Sequence, residues 1–134
     1  MTFVLLAALL VLTAFQPVSP GGKNARTPAQ RKLSSHLLDE IRRAKDAPAT
    51  HQAPSEQTLV KIDRHQRALV DVRATVTAAI KRRVVRLGGA IVAASPEADS
   101  LIAWIPLLKL EQLAELPSVR AIQPAAQAIH NTHK

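Results

Sequence analysis

Apolar and polar positions between residues 59 and 74 follow the two-residue period of β-strands. Over residues 68–74 the side chains alternate in character: Leu69, Val70, Asp71, Val72 and Arg73. Alternation of this kind predicts a strand with one face in the core and the other face outside it. Residues 59–63 form a second extended run, and residues 64–66 are predicted to be the turn between the two.

The period lengthens after residue 74 and predicts a helix. Four apolar residues lie at helical spacing on one face: Val76, Ile80, Val84 and Leu87. Thr75 or Thr77 is placed to cap the start of this helix, and Gly88 to end it in the left-handed conformation. Gly89 then lets the chain reverse into a strand.

After Gly89 the pattern predicts two strands, a short helix and a last strand. Residues 90–95 and residues 101–105 are predicted strands, and residues 96–100 have the length of a hairpin loop. Residues 106–116 form a short amphipathic helix that begins at a proline, and residues 119–123 form a last strand.

The predicted order is β-α-β-β-α-β, which is the ferredoxin-like pattern. We therefore expect an α+β fold, with two helices on one face of an antiparallel sheet and a helical extension at the N-terminus. This fold hosts many functions and does not identify one.

The strand over residues 101–105 is apolar on both faces. Leu101, Ala103 and Ile105 are expected to face the helices, so Ile102 and Trp104 should lie on the other face. Because two helices can cover only one face, that second face is predicted to be an exposed apolar interface. The alternative is that the N-terminal helix folds back over it.

The segment over residues 23–58 is predicted to be a basic helix followed by a linker. Thr27 can cap the helix, Pro28 suits its first position, and Gln30 completes a capping box. A narrow apolar stripe follows at helical spacing: Leu33, Leu37, Leu38 and Ile41. Residues 47–57 lack an apolar period and contain two prolines, so we interpret them as the linker.

The two ends of the chain differ from the part between them. Residues 2–15 are almost all apolar, but a bilayer span takes roughly 20 residues. Residues 1–22 are therefore interpreted as a signal peptide, and the protein as secreted or periplasmic, without stable membrane insertion after cleavage. A buried helix and an uncleaved anchor are the alternatives. Residues 126–134 are predicted to be a flexible tail.

Composition narrows the function classes. Lys and Arg number 18 against 10 Asp and Glu, which gives a formal net charge of +8. Such a charge suits an anionic partner, but it equally serves solubility alone. The chain has no Cys, which excludes disulfides, thiolate catalysis and Cys-based metal sites. Aromatic residues make up 2% of the chain, and this argues against base stacking and against nucleic acid as a partner.

Candidate chemistry is sparse. His36 lies near Asp39 and Glu40, but a solvated helix face explains this grouping better than a metal site does. His130 and His133 have a spacing that a metal could use on a helix, without a third ligand nearby. Ser, His and Asp residues are present but nothing arranges them as a triad. We expect no enzymatic activity, no metal and no cofactor.

Four stretches carry a more specific signal through their order and spacing: residues 69–74 (LVDVRA), 87–89 (LGG), 105–107 (IPL) and 113–125 (LAELPSVRAIQPA). Together they resemble the N-terminal propeptide, or propeptide-inhibitor module, of bacterial secreted subtilisin-like serine peptidases. The resemblance covers about half of the chain and assigns residues 59–125 to the module. The peptidase motifs themselves are absent, including the Gly-Thr-Ser nucleophile segment. The expectation is therefore a fragment of a longer precursor or a stand-alone module.

The resemblance implies a partner and a mode of binding. Such a propeptide packs its open sheet face on the peptidase domain, through Ile102 and Trp104 here. Its tail lies in the substrate cleft as a product-like strand, for which Ile129, His130 and Asn131 are the candidates. It helps the peptidase to fold and inhibits it until the tail is cut.

One alternative function comes from the residues themselves. The helix over residues 75–87 carries four basic residues: Lys81, Arg82, Arg83 and Arg86. In a free-standing ferredoxin-like binding module of the cell envelope, this face would bind a small molecule or a nucleic acid. A solvated helix face explains the same residues without any ligand.

Overall fold

The computed structural model describes residues 25–46 and 59–126 of the chain. Its helices and strands follow one another in this order: α1 (Pro28–Arg31), α2 (Ser35–Asp46), β1 (Arg67–Ala74), α3 (Ala78–Arg86), β2 (Ala90–Ser95), β3 (Ser100–Pro106), α4 (Leu110–Ala114) and β4 (Val119–Pro124). Two 3₁₀ turns, Pro96–Ala98 and Leu107–Lys109, precede β3 and α4. The predicted α+β class is confirmed.

The four strands form one open antiparallel sheet in the order β2-β3-β1-β4. The central strand β1 places Val70 opposite Ala103 of β3 and Val72 opposite Ile122 of β4. All four of these residues are buried on the same face of the sheet. The core therefore lies between this face and the helices.

The helix after β1 follows its sequence signals closely. Thr77 caps α3, with its hydroxyl oxygen accepting a hydrogen bond from the N–H of Ile80 at 3.3 Å. Ile80 and Val84 are fully buried, and Gly88 has a φ of +88°. The predicted left-handed glycine after this helix is confirmed.

Gly89 is constrained by space rather than by its φ angle. A Cβ atom built at this position would lie 2.8 Å from the carbonyl oxygen of Trp104 and 2.9 Å from that of Val84. These are backbone atoms that cannot move aside cheaply. The missing side chain lets α3 end close against β3.

The predicted lead-in strand is shorter than expected. Only Ile62 forms a bridge, with Ala68, and residues 64–66 make a tight turn. Gln66 adopts a φ of +58° in that turn, where a glycine would be the usual residue. Asp63 compensates, because its carboxylate accepts hydrogen bonds from the N–H groups of His65 and Arg67 at 2.9 and 3.0 Å.

The predicted helix over residues 106–116 is also shorter. Pro106 is the last residue of β3, and α4 itself covers only Leu110–Ala114. The intervening 3₁₀ turn is tied to the hairpin, since the N–H of Leu107 donates to the carbonyl of Gln66 at 3.0 Å. Pro117 follows α4 and stops it.

The N-terminal helical segment is broken where one helix was predicted. The capping box of Thr27 and Gln30 is confirmed. The chain is then extended at Leu33, because the N–H of Ile122 donates to Lys32 at 2.7 Å and the N–H of Ser34 donates to Ile122 at 3.0 Å. This pairing along the outer edge of β4 outweighs continuation of the helix.

The helix α2 lies in the same layer as α4 and does not cover the other face of the sheet. Its residues Leu37 and Ile41 are buried in the same core as Leu107 and Leu110, and α2 packs against the 3₁₀ turn before α4. The alternative in which the N-terminal helix covers Ile102 and Trp104 is therefore wrong.

Several sequence-based predictions fall on residues that the structure does not describe. The signal peptide, the linker over residues 47–57 and the tail residues Ile129, His130 and Asn131 all lie outside the described residues. Within residues 25–46 and 59–126, no helix has the length and apolar content needed to span a bilayer.

Candidate docking face

The strand β3 divides its side chains between the two faces of the sheet. Leu101, Ala103 and Ile105 are 0% exposed and face the helices, as predicted. Ile102 and Trp104 lie on the opposite side and are half-buried. We call this opposite side the open face and define it by Leu69, Asp71, Arg73, Ile102 and Trp104.

Strand register sets the neighbours of Trp104 on the open face. Leu69 of β1 lies opposite Trp104 on one side, and Ala90 of β2 lies opposite it on the other. The ammonium group of Lys61 lies 5.8 Å from the centroid of the indole ring. A cation over an exposed aromatic ring contributes about 0.5–1 kcal/mol. Trp104 thus lies between Leu69 and Ala90 in an apolar row that no helix of the described residues covers.

The next row of the open face is polar at its centre. Asp71 lies opposite Ile102 on β3 and opposite Gln123 on β4, and it is 8% exposed. Its carboxylate accepts a hydrogen bond from the hydroxyl of Ser100 at 2.6 Å and forms an ion pair with Arg73 at 2.9 Å. The amide of Gln123 donates to it at 3.4 Å. A buried carboxylate is tolerated here because three side chains, those of Ser100, Gln123 and Arg73, donate to it.

This carboxylate cluster has a consequence for Arg73. The ion pair holds the guanidinium in a defined position while 44% of the side chain stays exposed on the open face. The cluster can therefore offer a fixed set of hydrogen-bond donors to a partner. No local pattern in the sequence indicates this cluster, since only the strand register brings Ser100 and Gln123 to Asp71.

The C-terminal end of β4 leaves the sheet beside the apolar row. The N–H of Ala125 donates to the carbonyl of Leu69 at 3.1 Å, and Ala125 is 6% exposed. Ala126 is exposed and is the last residue that the structure describes. The chain therefore continues toward residues 129–131 from a point next to Leu69, on the same row as Trp104.

The remaining candidate residues from the sequence lie apart from the open face or form no site. The basic residues of α3 are on the helical layer. His36, Asp39 and Glu40 lie on α2, where Asp39 and Glu40 pair with Arg42 and Arg43. In residues 25–46 and 59–126 no group of three or more His, Asp or Glu side chains is placed to hold a metal ion.

Comparisons of the chain with protein-family models, with curated proteins and with solved structures find no match.

Proposed function

We propose that this protein is a propeptide-type intramolecular chaperone and inhibitor of a secreted subtilisin-like serine peptidase, acting in cis or in trans. The observation that carries the proposal is the open face, where Ile102 and Trp104 are half-buried although the N-terminal helices pack elsewhere. Large apolar side chains left together on a surface are typical of protein interfaces.

The strand arrangement supports a ferredoxin-like fold for this proposal. The edge strands are β2 and β4, the central strands are β3 and β1, and α3 and α4 are the two crossovers. Both crossovers lead to strands on the same sheet, as in a split β-α-β pair. An arrangement of this kind leaves one face of the sheet for a partner.

Docking would be driven mainly by the apolar row. Burial of apolar surface contributes about 25 cal/mol per Å², and an indole is among the largest single contributions available to an interface. Arg73, held by Asp71, adds directed hydrogen bonds that would favour one orientation of the partner. The peptidase surface would accordingly present apolar side chains opposite Trp104 and acceptor groups opposite Arg73.

Inhibition would come from the residues after Ala126. An extended segment can add as a strand to the edge of a substrate cleft and gain main-chain hydrogen bonds there. Ile129, His130 and Asn131 are the proposed cleft-binding residues. Since β4 ends beside Leu69, docking of the open face and insertion of the tail would start from neighbouring points.

Chaperone action would use the same surface at an earlier stage. A preformed sheet that binds elements of the peptidase before they meet each other reduces the cost of ordering non-local contacts. Export with the peptidase is part of the proposal and depends on residues 1–22 acting as a signal.

The test is to add the purified chain to several subtilisin-type peptidases and to follow peptide hydrolysis. We expect slowing at micromolar concentration, and Trp104→Ala or Ile102→Ser should reduce it roughly tenfold or more, as loss of an interface hot spot does. Val85→Ala is the matched control, because Val85 is 61% exposed but lies on α3, away from the open face.

Undiminished hydrolysis for every peptidase tested would overturn the inhibitor half of the proposal. Equal inhibition by the Trp104→Ala chain and the Val85→Ala chain, both folded by circular dichroism, would overturn the role of the open face. The chaperone half fails if the chain does not raise the yield of active peptidase on refolding from denaturant.

A further inference from the structure

A shallow groove on the helical layer gathers most of the basic residues of α3. It has a volume of about 310 Å³ and lies between α3 and the turn that precedes β4. Arg82, Arg83 and Arg86 line it from α3, together with Thr77 at the start of that helix. Ser118 lines it from the turn. We call it the arginine groove.

The four cations of α3 have no acidic partner, whereas half of the other twelve Lys and Arg side chains of the described residues have one. Six ion pairs are formed within residues 25–46 and 59–126, and their cations are Arg42, Arg43, Lys45, Arg67, Arg73 and Arg120. None of them involves α3, whose nine residues include four cations and no Asp or Glu. The positive charge of the groove is therefore not neutralised by the described residues.

Arg83 gives a second and independent indication of a ligand. The side chain of Arg83 is half-buried, and its Nε atom is buried with no hydrogen-bond partner among the described residues. A buried donor without an acceptor is unfavourable, whereas a charge-assisted bond to an anion would satisfy it. The other two arginines of the groove are exposed and available to the same ligand.

We propose that the arginine groove binds a phosphate group. A phosphate dianion offers acceptor oxygens to several guanidinium groups at once, whereas one arginine suffices for the two oxygens of a carboxylate. The two hydroxyl groups complete the set of donors. Thr77 accepts its bond from the N–H of Ile80, so its own hydroxyl hydrogen is free to be donated.

The size of the groove limits the ligand class. Its volume is at the lower end of the range of small-molecule pockets, which begins at roughly 300 Å³. It is therefore suited to a diphosphate or to the head of a phosphate monoester, rather than to a large cofactor. The site is independent of the open face, because it lies on the opposite side of the sheet.

The first measurement is calorimetric titration of the purified chain with pyrophosphate at low ionic strength. We expect saturable binding that weakens as salt is added. Arg83→Gln and Arg86→Gln should each weaken it roughly tenfold, which corresponds to loss of a charge-assisted hydrogen bond. Arg42→Gln is the matched control, because it removes the same charge from α2 and leaves the groove intact.

A second measurement distinguishes free phosphates from lipid headgroups. Phosphatidylcholine vesicles with and without phosphatidic acid are sedimented with the chain, and binding that depends on phosphatidic acid and on Arg83 assigns the groove to a lipid headgroup. Binding of pyrophosphate alone assigns it to a soluble phosphate. Either result supports the site.

Three results would overturn the proposal. One is the absence of any pyrophosphate or phosphatidic acid binding. Another is equal weakening by Arg42→Gln, which would make binding a property of net charge. The third is tighter, Arg83-dependent binding of a single-stranded oligonucleotide, which would make the groove a nucleic-acid interface. None of these measurements depends on a peptidase, so this proposal can fail while the proposed function stands.

Discussion

The two faces of β3 are built from the same strand and yet serve different purposes. On the helical side, Leu101, Ala103 and Ile105 are completely buried. On the open side, Ile102 and Trp104 keep part of their surface in water although they are as apolar as their neighbours. Burial within the chain therefore accounts for one face, and the other face carries apolar surface that the described residues do not use.

The comparison shows why composition alone is a poor guide to the core of a small domain. Every residue of β3 from Leu101 to Ile105 is apolar, so hydropathy treats the two faces as equal. The number of helices decides between them, since α2, α3 and α4 all pack on one side.

The same Ile→Ala substitution on the two faces of β3 should lower the free energy of unfolding by very different amounts. Ile105→Ala removes a fully buried side chain and should lower the free energy of unfolding by about 2–5 kcal/mol, because it leaves a cavity. Ile102→Ala makes the same chemical change on the open face and should cost about 1 kcal/mol or less. Urea denaturation of both variants measures the difference. Similar costs would mean that the open face belongs to the core of the protein.

The stability of the hairpin that places Lys61 on the open face should depend on the carboxylate of Asp63. Burial alone would raise the pKa of Asp63, but hydrogen bonds from Arg67 and from the N–H of His65, together with the charge of Arg67, lower it below its usual value of 3.8. Asp63→Ala should therefore lower the free energy of unfolding by about 1–3 kcal/mol at neutral pH.

The pH dependence of that loss follows from the direction of the pKa shift. A carboxylate with a lowered pKa stabilises the fold above its unfolded pKa, and this contribution is lost as the pH falls through the folded pKa. The difference between wild type and Asp63→Ala should be constant near pH 7 and should shrink below about pH 4. Asp39→Ala, which breaks an exposed ion pair, is the control and should cost under about 0.5 kcal/mol.

Apart from the control variants, the smallest loss of stability is expected for Lys61→Ala. Loss of the cation over Trp104 should lower the free energy of unfolding by about 0.5–1 kcal/mol at most. Because Trp104 is the sole tryptophan of the chain, its fluorescence also reports directly on the open face. Quenching by acrylamide should increase in the Lys61→Ala chain. Unchanged quenching would mean that Lys61 does not shield the ring.

Much of the fold could be predicted from local signals in the sequence. The alternation in β1, the cap at Thr77 and the left-handed Gly88 depend on residues close together in the chain. The two-residue period of a strand likewise places Ile102 and Trp104 together on one face of β3. These features required no knowledge of distant contacts.

The remaining features depend on residues far apart in the sequence. The break between α1 and α2 exists because Leu33 pairs with Ile122, which no local pattern indicates. The cluster around Asp71 likewise requires the register of three strands. The arginine groove lies between α3 and the turn at Ser118. The sequence indicated the basic residues of α3, but not that this turn would line the other side of the groove.

The two outer edges of the sheet are unequal, and this limits how copies of the molecule can associate. On the β4 edge, the backbone groups of Ile122 are already hydrogen-bonded to those of Lys32 and Ser34. Among the described residues, β2 has a strand partner on one side only, and it carries no charged residue. Charges and covering segments are the usual barriers to edge-to-edge pairing. Among the described residues, β2 is therefore the edge at which a second copy could add most readily, whereas the β4 edge is interrupted at Ile122.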